Sequence, residues 1–235
     1  MNQIAPTTPY RDRRSAGEQM ARELHFFTGV ENLLILAIPR GGVAVAAPMA
    51  KALGAHLDVF VVQPIVVQEP ADLCIGAIAS GGVCALHQDV LGACESNASE
   101  VAEQVVTVRQ EVLAREKTYR CGRAAQPIAG RHVILVDEGT GSDQLMKAAV
   151  AAVRSCSPST LTIATPVASA LAAERLADQA DDFVCPHVID PFFAVGLAYE
   201  RYPDVDDIDV CSWVSTQAPP LQQRHRPKLE LNDRW

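Results

Sequence analysis

The sequence predicts an α/β protein with a mostly parallel, twisted sheet flanked by helices. Three observations predict this fold class. Apolar runs of strand length alternate with amphipathic segments of helix length, as in repeated βαβ units. Runs such as NLLILAI at 32–38 are apolar throughout, which is typical of parallel strands covered on both faces. Aromatic residues make up only 5% of the chain, while Ala and Val are abundant, so helices can pack closely on the sheet.

The elements of the first part follow from local patterns. Ala16, Met20, Leu24 and Phe27 recur at helical spacing and predict a helix from Arg11 to about Phe27. The run at 32–38 predicts a strand, which PRGG at 39–42 ends. VAVAAPMAKAL at 43–53 predicts a helix that tolerates Pro48. LDVFVVQ at 57–63 predicts the second strand, and 64–70 a loop.

The remaining elements alternate in the same way. LCIGAIA at 73–79 and VCALH at 83–87 flank a Ser-Gly-Gly hairpin turn. The further predicted helices are 95–119, 144–155 and 168–178, and the further strands are 132–138, 159–167 and 182–189. A chain of 235 residues suits one large α/β domain. We expect that domain at 10–214, a flexible arm at 1–9 and a polar tail at 215–235.

Composition argues against several function classes. The net charge of −8 disfavours binding to a nucleic-acid backbone. The longest apolar runs are shorter than the ~18 residues that would predict a membrane span. The seven cysteines contain no C-x-x-C pair, which indicates free thiols. Cys185 and His187 form a C-x-H pair without a second pair at zinc-ligand spacing. The polar N-terminus has no apolar signal region, so we expect a cytoplasmic protein.

An acidic loop follows the strand at 132–138, within VILVDEGTGSDQLM. The carboxylates of Asp137 and Glu138 can accept hydrogen bonds from the vicinal hydroxyls of a sugar. Backbone N–H groups from Gly139 to Ser142, together with the N-terminus of the next helix, can hold a phosphate. The alternative is an ordinary capped turn with a solvated pair of acids. Short loop motifs alone do not decide between these interpretations.

A second loop, Pro39-Arg40-Gly41-Gly42, ends the first strand. Glycine lets the backbone approach a ligand closely, and the Arg40 guanidinium suits phosphate or pyrophosphate. The alternative is a turn with a surface arginine. Because ligands bind beyond the carboxyl ends of parallel strands, we expect both loops to face one crevice.

A basic segment comprises the end of the long polar helix and the loop after it, with Tyr119 between its cations. It contains Arg109, Arg115, Lys117, Arg120 and Arg123. Such a segment can fold over an anionic ligand. The alternative is a solvated helix face, in which Glu111 and Arg115 form an i,i+4 pair.

VILVDEG, followed by a loop and MKAAVAAVR, resembles the phosphoribosyl-pyrophosphate (PRPP) signature of type I phosphoribosyltransferases. The segments that resemble a bacterial group of this family are AGEQMARELHFFTGVENLLILAIPRGGVAVAAPMAKALGAHLDVFVV, LCIGAIASGG, AREKTYRCGR and FFAVGLAYERYPDV. The resemblance covers roughly residues 10–212. It implies the family fold, including a small hood over the site, and a homodimer as the common assembly.

The resemblance also implies residue roles. Asp137 and Glu138 would bind the ribose hydroxyls of PRPP, and Mg²⁺ would approach these two acids indirectly, through PRPP and water. Arg40, Gly41 and Gly42 would form the pyrophosphate loop. The 5′-phosphate loop would comprise Gly139, Thr140, Gly141, Ser142, Asp143, Gln144 and Leu145. Arg115, Arg120 and Arg123 would belong to a closing loop, with Arg120 counted with the two acids as catalytic.

The sequence departs from the family pattern at the phosphate loop. Ser142 replaces the family threonine, Asp143 the following glycine, and Leu145 the last hydroxyl residue. A carboxylate ~4 Å from a phosphate charge costs about 4 kcal/mol at an effective dielectric of 20. Asp143 is therefore expected to cap its own helix instead. In an alternative register, Thr140-Gly141-Ser142 wraps the anion. Gln63-Pro64 also replaces an Arg-Lys pair that the group carries.

Three functions are consistent with these residues. The first is transfer of ribose 5-phosphate from PRPP to an acceptor that no sequence pattern specifies, with release of pyrophosphate. The second is a non-catalytic nucleotide sensor, regulator or partner subunit, which the altered loop favours. The third is a crevice for an unphosphorylated ribose or a nucleoside. The first two imply a small-molecule ribose phosphate or nucleotide, and the third implies an unphosphorylated analogue. We expect neither nucleic acid nor a membrane as a partner.

Overall fold

The structure is a computed structural model that describes residues 10–67, 73–86 and 98–216. Its strands are β1 (Leu33–Ala37), β2 (His56–Val59), β3 (Val62–Val67), β4 (Leu73–Ala79), β5 (Val83–Leu86), β6 (His132–Val136), β7 (Thr160–Ala164), β8 (Val167–Ser169), β9 (Asp182–Val184) and β10 (His187–Ile189). Its α-helices are α1 (Arg13–Glu23), α2 (Gly41–Leu53), α3 (Ala98–Tyr119), α4 (Gln144–Ser155), α5 (Ala170–Leu176) and α6 (Asp207–Thr216).

The central sheet has five parallel strands in the order β2-β1-β6-β7-β9. Its side chains alternate between two cores. In β1, Leu33, Ile35 and Ala37 face the core that contains α1 and α2, whereas Leu34 and Leu36 face the core that contains α4. All five residues are buried, which explains why this strand is apolar throughout. The predicted fold class, a mostly parallel sheet flanked by helices, is confirmed.

Capping hydrogen bonds and glycine residues define the ends of helices α1 and α2. At α1, the Asp12 side chain accepts the Ser15 N–H and the Ser15 side chain accepts the Asp12 N–H, which forms a capping box. Helix α2 begins at Gly41, two residues before the predicted start, and ends at Leu53, before Gly54, which has a left-handed φ of 69°. Helix α4 has the predicted bounds.

Three predicted strands proved to be pairs of shorter strands. The run at 57–63 divides because β3 leaves the main sheet and pairs antiparallel with β4. Pro64 therefore lies in β3 and not in a loop. The runs at 159–167 and 182–189 divide in the same way, because β8 and β10 form a separate two-stranded sheet. Alternation of side chains along a strand indicates which residues share a face of the sheet. It does not indicate where the chain leaves one sheet and joins another within a single apolar run.

The carboxyl-terminal part contains a helix that the sequence analysis missed. Helix α6 has no strong apolar periodicity, although Val210 and Val214 are buried. It extends to Thr216, so the first two residues of the segment predicted as a tail are helical. The predicted helix at 168–178 is shorter, with Ser169 as its N-cap. The predictions for 1–9, 68–70, 87, 95–97 and 217–235 fall outside the described residues.

The strand order creates a topological switch point between β1 and β6. From β1 the chain crosses to β2 on one side, while β6, β7 and β9 extend on the other side. Ala37 and Val136 are partners at the ends of these adjacent strands. The loops that leave β1 and β6 therefore begin side by side, where α/β sheets bind their ligands. Among the described helices, none has the length and apolar character to cross a membrane.

Candidate functional site

The two loops predicted to carry chemistry are in contact at the switch point. A Cβ atom on Gly41 would overlap the Glu138 carboxyl group. A Cβ atom on Gly42 would lie 3.0 Å from the Val136 carbonyl oxygen and 3.6 Å from Asp137 Oδ1. Glycine is thus required for the close approach of the Arg40–Gly42 loop to the acids. The structure brings the diol-binding and pyrophosphate-binding candidates into contact at the sheet edge where a ligand crevice is expected.

Asp137 lies at this sheet edge, directly after β6 and beside Gly42. Its Oδ1 accepts the Glu138 N–H at 2.8 Å. Burial raises the pKa of Asp137 to about 7, and the neighbouring Glu138 charge raises the pKa further, while the Glu138 N–H lowers it. The carboxyl group therefore exchanges a proton near neutral pH, and a bound cation would ionise it.

Glu138 is held by residues distant in sequence. Arg13 Nε donates to Glu138 Oε2, and the Tyr199 hydroxyl donates to the Glu138 carbonyl oxygen. The Tyr202 hydroxyl also bonds to the Glu138 carboxylate, and burial together with this negative charge raises the pKa of Tyr202 to about 12. Arg13 lies 3.7 Å above the Tyr202 ring and donates to the Pro203 carbonyl oxygen at 2.6 Å.

These partners of Glu138 were not among the predicted site residues. The tyrosines lie in the FFAVGLAYERYPDV segment, so its resemblance to the family was the available signal. Arg13 occupies the first turn of α1 with only 8% of its surface exposed, a burial that no local pattern indicated.

The phosphate-loop candidates are fixed to β8. Thr140 N–H donates to the Val167 carbonyl at 2.9 Å, and Ser169 N–H donates to the Thr140 carbonyl at 3.0 Å. The Ser169 hydroxyl donates to the Gly141 carbonyl at 3.0 Å. Among the hydrogen bonds of the described residues, none uses the N–H of Gly141 or Ser142. The loop therefore keeps adjacent amide donors before α4.

Apolar side chains cover the same loop. A Cβ on Gly139 would lie 2.6 Å from Val195 Cγ1, and one on Gly141 would lie 2.8 Å from the Phe192 ring. The loop thus packs against the 192–195 segment, and glycine is needed at both positions. Phe193, next in the chain to Phe192, is 80% exposed.

Asp143 differs from its predicted role. It is the N-cap residue of α4, but its side chain makes no capping hydrogen bond, so the capping prediction is wrong. Instead it pairs with Lys147 Nζ at 2.5 Å and lies 3.5 Å from Arg175 Nη1. Burial raises the pKa of Asp143, but the Lys147 hydrogen bond and the two cations outweigh it, so the net pKa is lowered.

These contacts revise the electrostatic penalty expected at the loop. Two cations neutralise the Asp143 charge, which therefore repels a phosphate less than an isolated carboxylate would. Gln144 begins α4, and the Ser142 hydroxyl lies 3.5 Å from its N–H. Leu145 is 41% exposed.

The predicted cationic residues occupy two environments. Arg40 is exposed at the crevice, with Nη1 4.0 Å from Asp207 Oδ1. Burial and Asp207 raise the pKa of Tyr119, whereas Arg115 and Arg40 lower it, which places both arginines near this tyrosine. Arg123 is exposed and donates to the Arg120 carbonyl at 3.3 Å.

Arg120 lies in a buried ion network. Its Nε is 2.9 Å from Asp58 Oδ1, its Nη1 is 2.8 Å from Glu116 Oε1, and its Nη2 donates to the Val59 carbonyl at 3.0 Å. These contacts join the end of α3 to the end of β2. They occupy every nitrogen of the guanidinium, so this position favours a structural role over the catalytic role expected for Arg120.

The acid pair is the metal-binding candidate. Within 10–67, 73–86 and 98–216, no group of three or more His, Cys, Asp or Glu side chains is arranged to hold a metal ion. Mg²⁺ commonly binds through one or two carboxylates together with substrate phosphates and water. Asp137 and Glu138 fit this pattern, because both place carboxylate oxygens beside the Arg40–Gly42 loop.

Comparisons with known proteins place the chain among relatives. No family model matches it. Two Mycobacterium tuberculosis proteins, from strains CDC 1551 and H37Rv, are each named "Putative phosphoribosyl transferase" and are 34% identical over 207 residues. The match covers 87% of this chain but 46% of each relative, so the chain spans about half their length. The crystal structure of TT1426 from Thermus thermophilus is similar, with 34% identity and a TM-score of 0.78, over 90% of this chain and 100% of that one.

Proposed function

We propose that this chain, which belongs to the phosphoribosyltransferase family, binds PRPP and transfers its ribose 5-phosphate group to a nitrogen acceptor. The observation that carries the proposal is the contact between Gly41 and the Glu138 carboxyl group at the switch point of the sheet. This contact joins a sugar-binding pair of acids and an anion-binding loop in one crevice.

The proposed roles follow the order of the groups in PRPP. Asp137 and Glu138 accept hydrogen bonds from the ribose hydroxyls. The free N–H groups of Gly141 and Ser142, with the N-terminus of α4, receive the 5′-phosphate. Arg40 and the backbone of Gly41 and Gly42 receive the pyrophosphate.

Glu138 can serve this role while it contacts Arg13. A carboxylate has about four lone-pair sites, and Arg13 and Tyr202 occupy only part of that capacity. Mg²⁺ would be held beside Asp137 and Glu138 through PRPP oxygens and water, where it would neutralise charge on the leaving pyrophosphate. Deprotonation of Asp137 would favour such binding.

The reaction breaks the bond between C1 of the ribose and the pyrophosphate oxygen, and the bonding electron pair leaves with pyrophosphate. The acceptor nitrogen forms the new bond to C1 and releases its proton to solvent. Positive charge develops on the ribose ring, so fixed carboxylates below it and cations around the pyrophosphate stabilise the transition state. Arg40 and Arg115 supply cations on the same side as Tyr119. Arg123, which is exposed and also lies in the basic segment, is a further candidate cation for the pyrophosphate.

Calorimetric titration with PRPP and Mg²⁺ tests the proposal. We expect saturable binding that becomes at least about tenfold weaker, or 1.4 kcal/mol, in the double variant Asp137→Asn/Glu138→Gln. The matched control is Asp182→Asn, which removes an exposed acid from β9. Absence of heat at millimolar PRPP, with the protein folded, would contradict the proposal.

A non-catalytic nucleotide sensor is the second candidate. It is favoured by Leu145, which offers no hydroxyl to a phosphate, and by Gln63 and Pro64, which lie in β3 without a cationic side chain. Pyrophosphate release, measured with PRPP and a panel of purine and pyrimidine bases, separates the two functions. Binding without release supports the sensor. Restoration of binding by Asp143→Gly plus Leu145→Thr would show that the natural loop is disabled.

A further inference from the structure

A cavity of about 360 Å³ lies between the first turn of α1, one face of α2 and helix α6. Its main lining residues are Arg13, Arg14, Pro48, Lys51, Pro203 and Trp213. None of its lining residues belongs to the Arg40–Gly42 loop or to 137–145, so the cavity is separate from the crevice. Its volume falls in the range of small-molecule sites, about 300–1,000 Å³.

The charges of the cavity favour an anion. Arg13, Arg14 and Lys51 contribute three cations, and Asp12 is the single lining acid. Arg14 Nε also pairs with the exposed Glu18 at 3.0 Å, outside the lining residues. The Asp12 carboxylate already accepts the Ser15 N–H at 2.8 Å and pairs with Arg11 at 3.1 Å and Arg201 at 3.6 Å. The Asp12 charge is therefore balanced by Arg11 and Arg201, which do not line the cavity.

The apolar part of the lining favours a flat ring. This apolar lining consists of the Trp213 indole, the rings of Pro48 and Pro203, and the methyl groups of Ala44 and Ala47. An aromatic ring beside an indole and proline rings buries apolar surface while its anionic substituent reaches the lysine and arginines. The lining thus combines the two parts of an aromatic anion site.

Arg13 connects the cavity to the crevice. It lines the cavity, and its Nε also donates to the Glu138 carboxylate. An anion in the cavity would compete with Glu138 for this guanidinium. We propose that the cavity binds a small flat organic anion, a ring bearing a phosphate, and that the bound anion weakens the Arg13–Glu138 pair. The effect on PRPP rests on the proposed function, whereas binding in the cavity does not.

Binding is tested by calorimetry on the full chain with 1-naphthyl phosphate, which lacks the ribose diol. We expect saturable binding that weakens at least about tenfold in Arg14→Ala/Lys51→Ala. Both side chains are exposed, so thermal unfolding should show an intact fold. The control Arg22→Ala removes an exposed cation from the same helix outside the cavity and should leave binding unchanged. No binding at millimolar probe, or equal losses in both variants, overturns the site.

The proposed competition between the bound anion and Glu138 for Arg13 can be measured without PRPP. Glu138→Gln removes the charge that competes for Arg13, so we expect 1-naphthyl phosphate to bind this variant at least about threefold more tightly. Unchanged or weaker binding overturns the competition. If wild-type protein binds PRPP, the probe should also tighten PRPP·Mg²⁺ binding, and PRPP·Mg²⁺ should tighten probe binding by the same factor. Failure to bind PRPP at all counts against the proposed function and leaves the cavity site standing.

Discussion

At the scale of single residues, the environment of each acid decides what it can do. Asp137 and Glu138 are neighbours in sequence, yet Asp137 has only a backbone N–H as its hydrogen-bond donor, while Glu138 contacts an arginine and a tyrosine. Burial therefore favours the neutral form of Asp137, whereas the Glu138 side chain is held in place by Arg13. The pair can present one exchangeable proton and one carboxyl group of fixed position to a ligand.

The raised pKa of Asp137 predicts a pH-dependent stability difference. Between about pH 4 and pH 7 the folded state retains the Asp137 proton that the unfolded state has already lost above its ordinary pKa of 3.8. The wild-type protein thus loses stability as pH rises towards 7, and Asp137→Asn lacks this loss. We expect the variant to gain roughly 2–3 kcal/mol relative to wild type between pH 5 and pH 8, measured by urea unfolding. If the stability difference between the variant and the wild type does not change with pH, the pKa of Asp137 is not raised.

Gly41→Ala should separate stability from binding. The added methyl group would meet the Glu138 carboxyl group, which is the flexible end of a side chain and can move. Alanine is also a better helix former than glycine in α2, by roughly 0.5–1 kcal/mol. We expect an unfolding midpoint close to wild type and PRPP binding at least about tenfold weaker by calorimetry. Ala44→Gly, in the next turn of α2, is the control: it should lower stability and leave PRPP affinity unchanged.

At the scale of elements, the loop before α4 is defined by its attachments to α5 and β8. Asp143 begins α4 and pairs with Lys147 of the same helix and with Arg175 of α5. Thr140 forms a parallel bridge to Ala168. These contacts turn the Asp143 carboxylate towards cations and hold the Gly141 and Ser142 amides in place. Asp143, which in the sequence predicts weaker phosphate binding, is therefore partly neutralised by Lys147 and Arg175.

Removing the compensating cations tests this account. In Lys147→Ala/Arg175→Ala the Asp143 charge is left near the phosphate loop without a partner, so we expect PRPP affinity to fall about tenfold or more. Arg154→Ala is the control, because it removes a cation from α4 that pairs with exposed Asp181. Calorimetry at two salt concentrations should show a larger difference at low salt. Equal affinities in all variants would mean that Asp143 does not influence the loop.

At the scale of the whole molecule, long-range ion pairs join parts that the sheet does not connect. Helix α3 packs against β3 and β4 of the small antiparallel sheet, and Arg120 joins its end to β2 of the parallel sheet. Asp58 accepts two further N–H groups, from Val59 and Gln126, both at 2.8 Å. The position of the basic segment relative to the crevice depends on this network.

Arg120→Ala should therefore act mainly on stability. The substitution leaves Asp58 and Glu116 buried without their cation, which costs roughly 3–5 kcal/mol for a buried pair. We expect a clearly lower urea midpoint, with Arg120→Lys intermediate because one ammonium cannot replace the guanidinium contacts. The exposed Arg123→Ala is the control and should unfold like wild type. An unchanged midpoint for Arg120→Ala, with lost PRPP turnover, would instead support the catalytic role first expected.

Local pattern was sufficient wherever neighbouring residues determine the structure. Buried parallel strands require continuous apolar runs, so β1 and β6 were predictable, and helical periodicity located α4 with its observed bounds. The rule that parallel strands place their carboxyl ends at one edge predicted that the Arg40–Gly42 and Asp137–Ser142 loops would meet. The candidate acids and glycines were therefore identifiable from the sequence.

Only the tertiary structure decided which partners these residues have. Arg13 and Glu138 are 125 residues apart, and Asp58 and Arg120 are 62 apart, so no local spacing indicates either pair. The same holds for the departure of β3 from the main sheet and for the docking of α6, since both depend on surfaces formed by distant segments. Local chemistry specifies strands, helices and turns, because their hydrogen bonds and periodicity are short-range. The charge state and exposure of each functional group depend on the folded chain, because burial and ion pairing are properties of the complete packing.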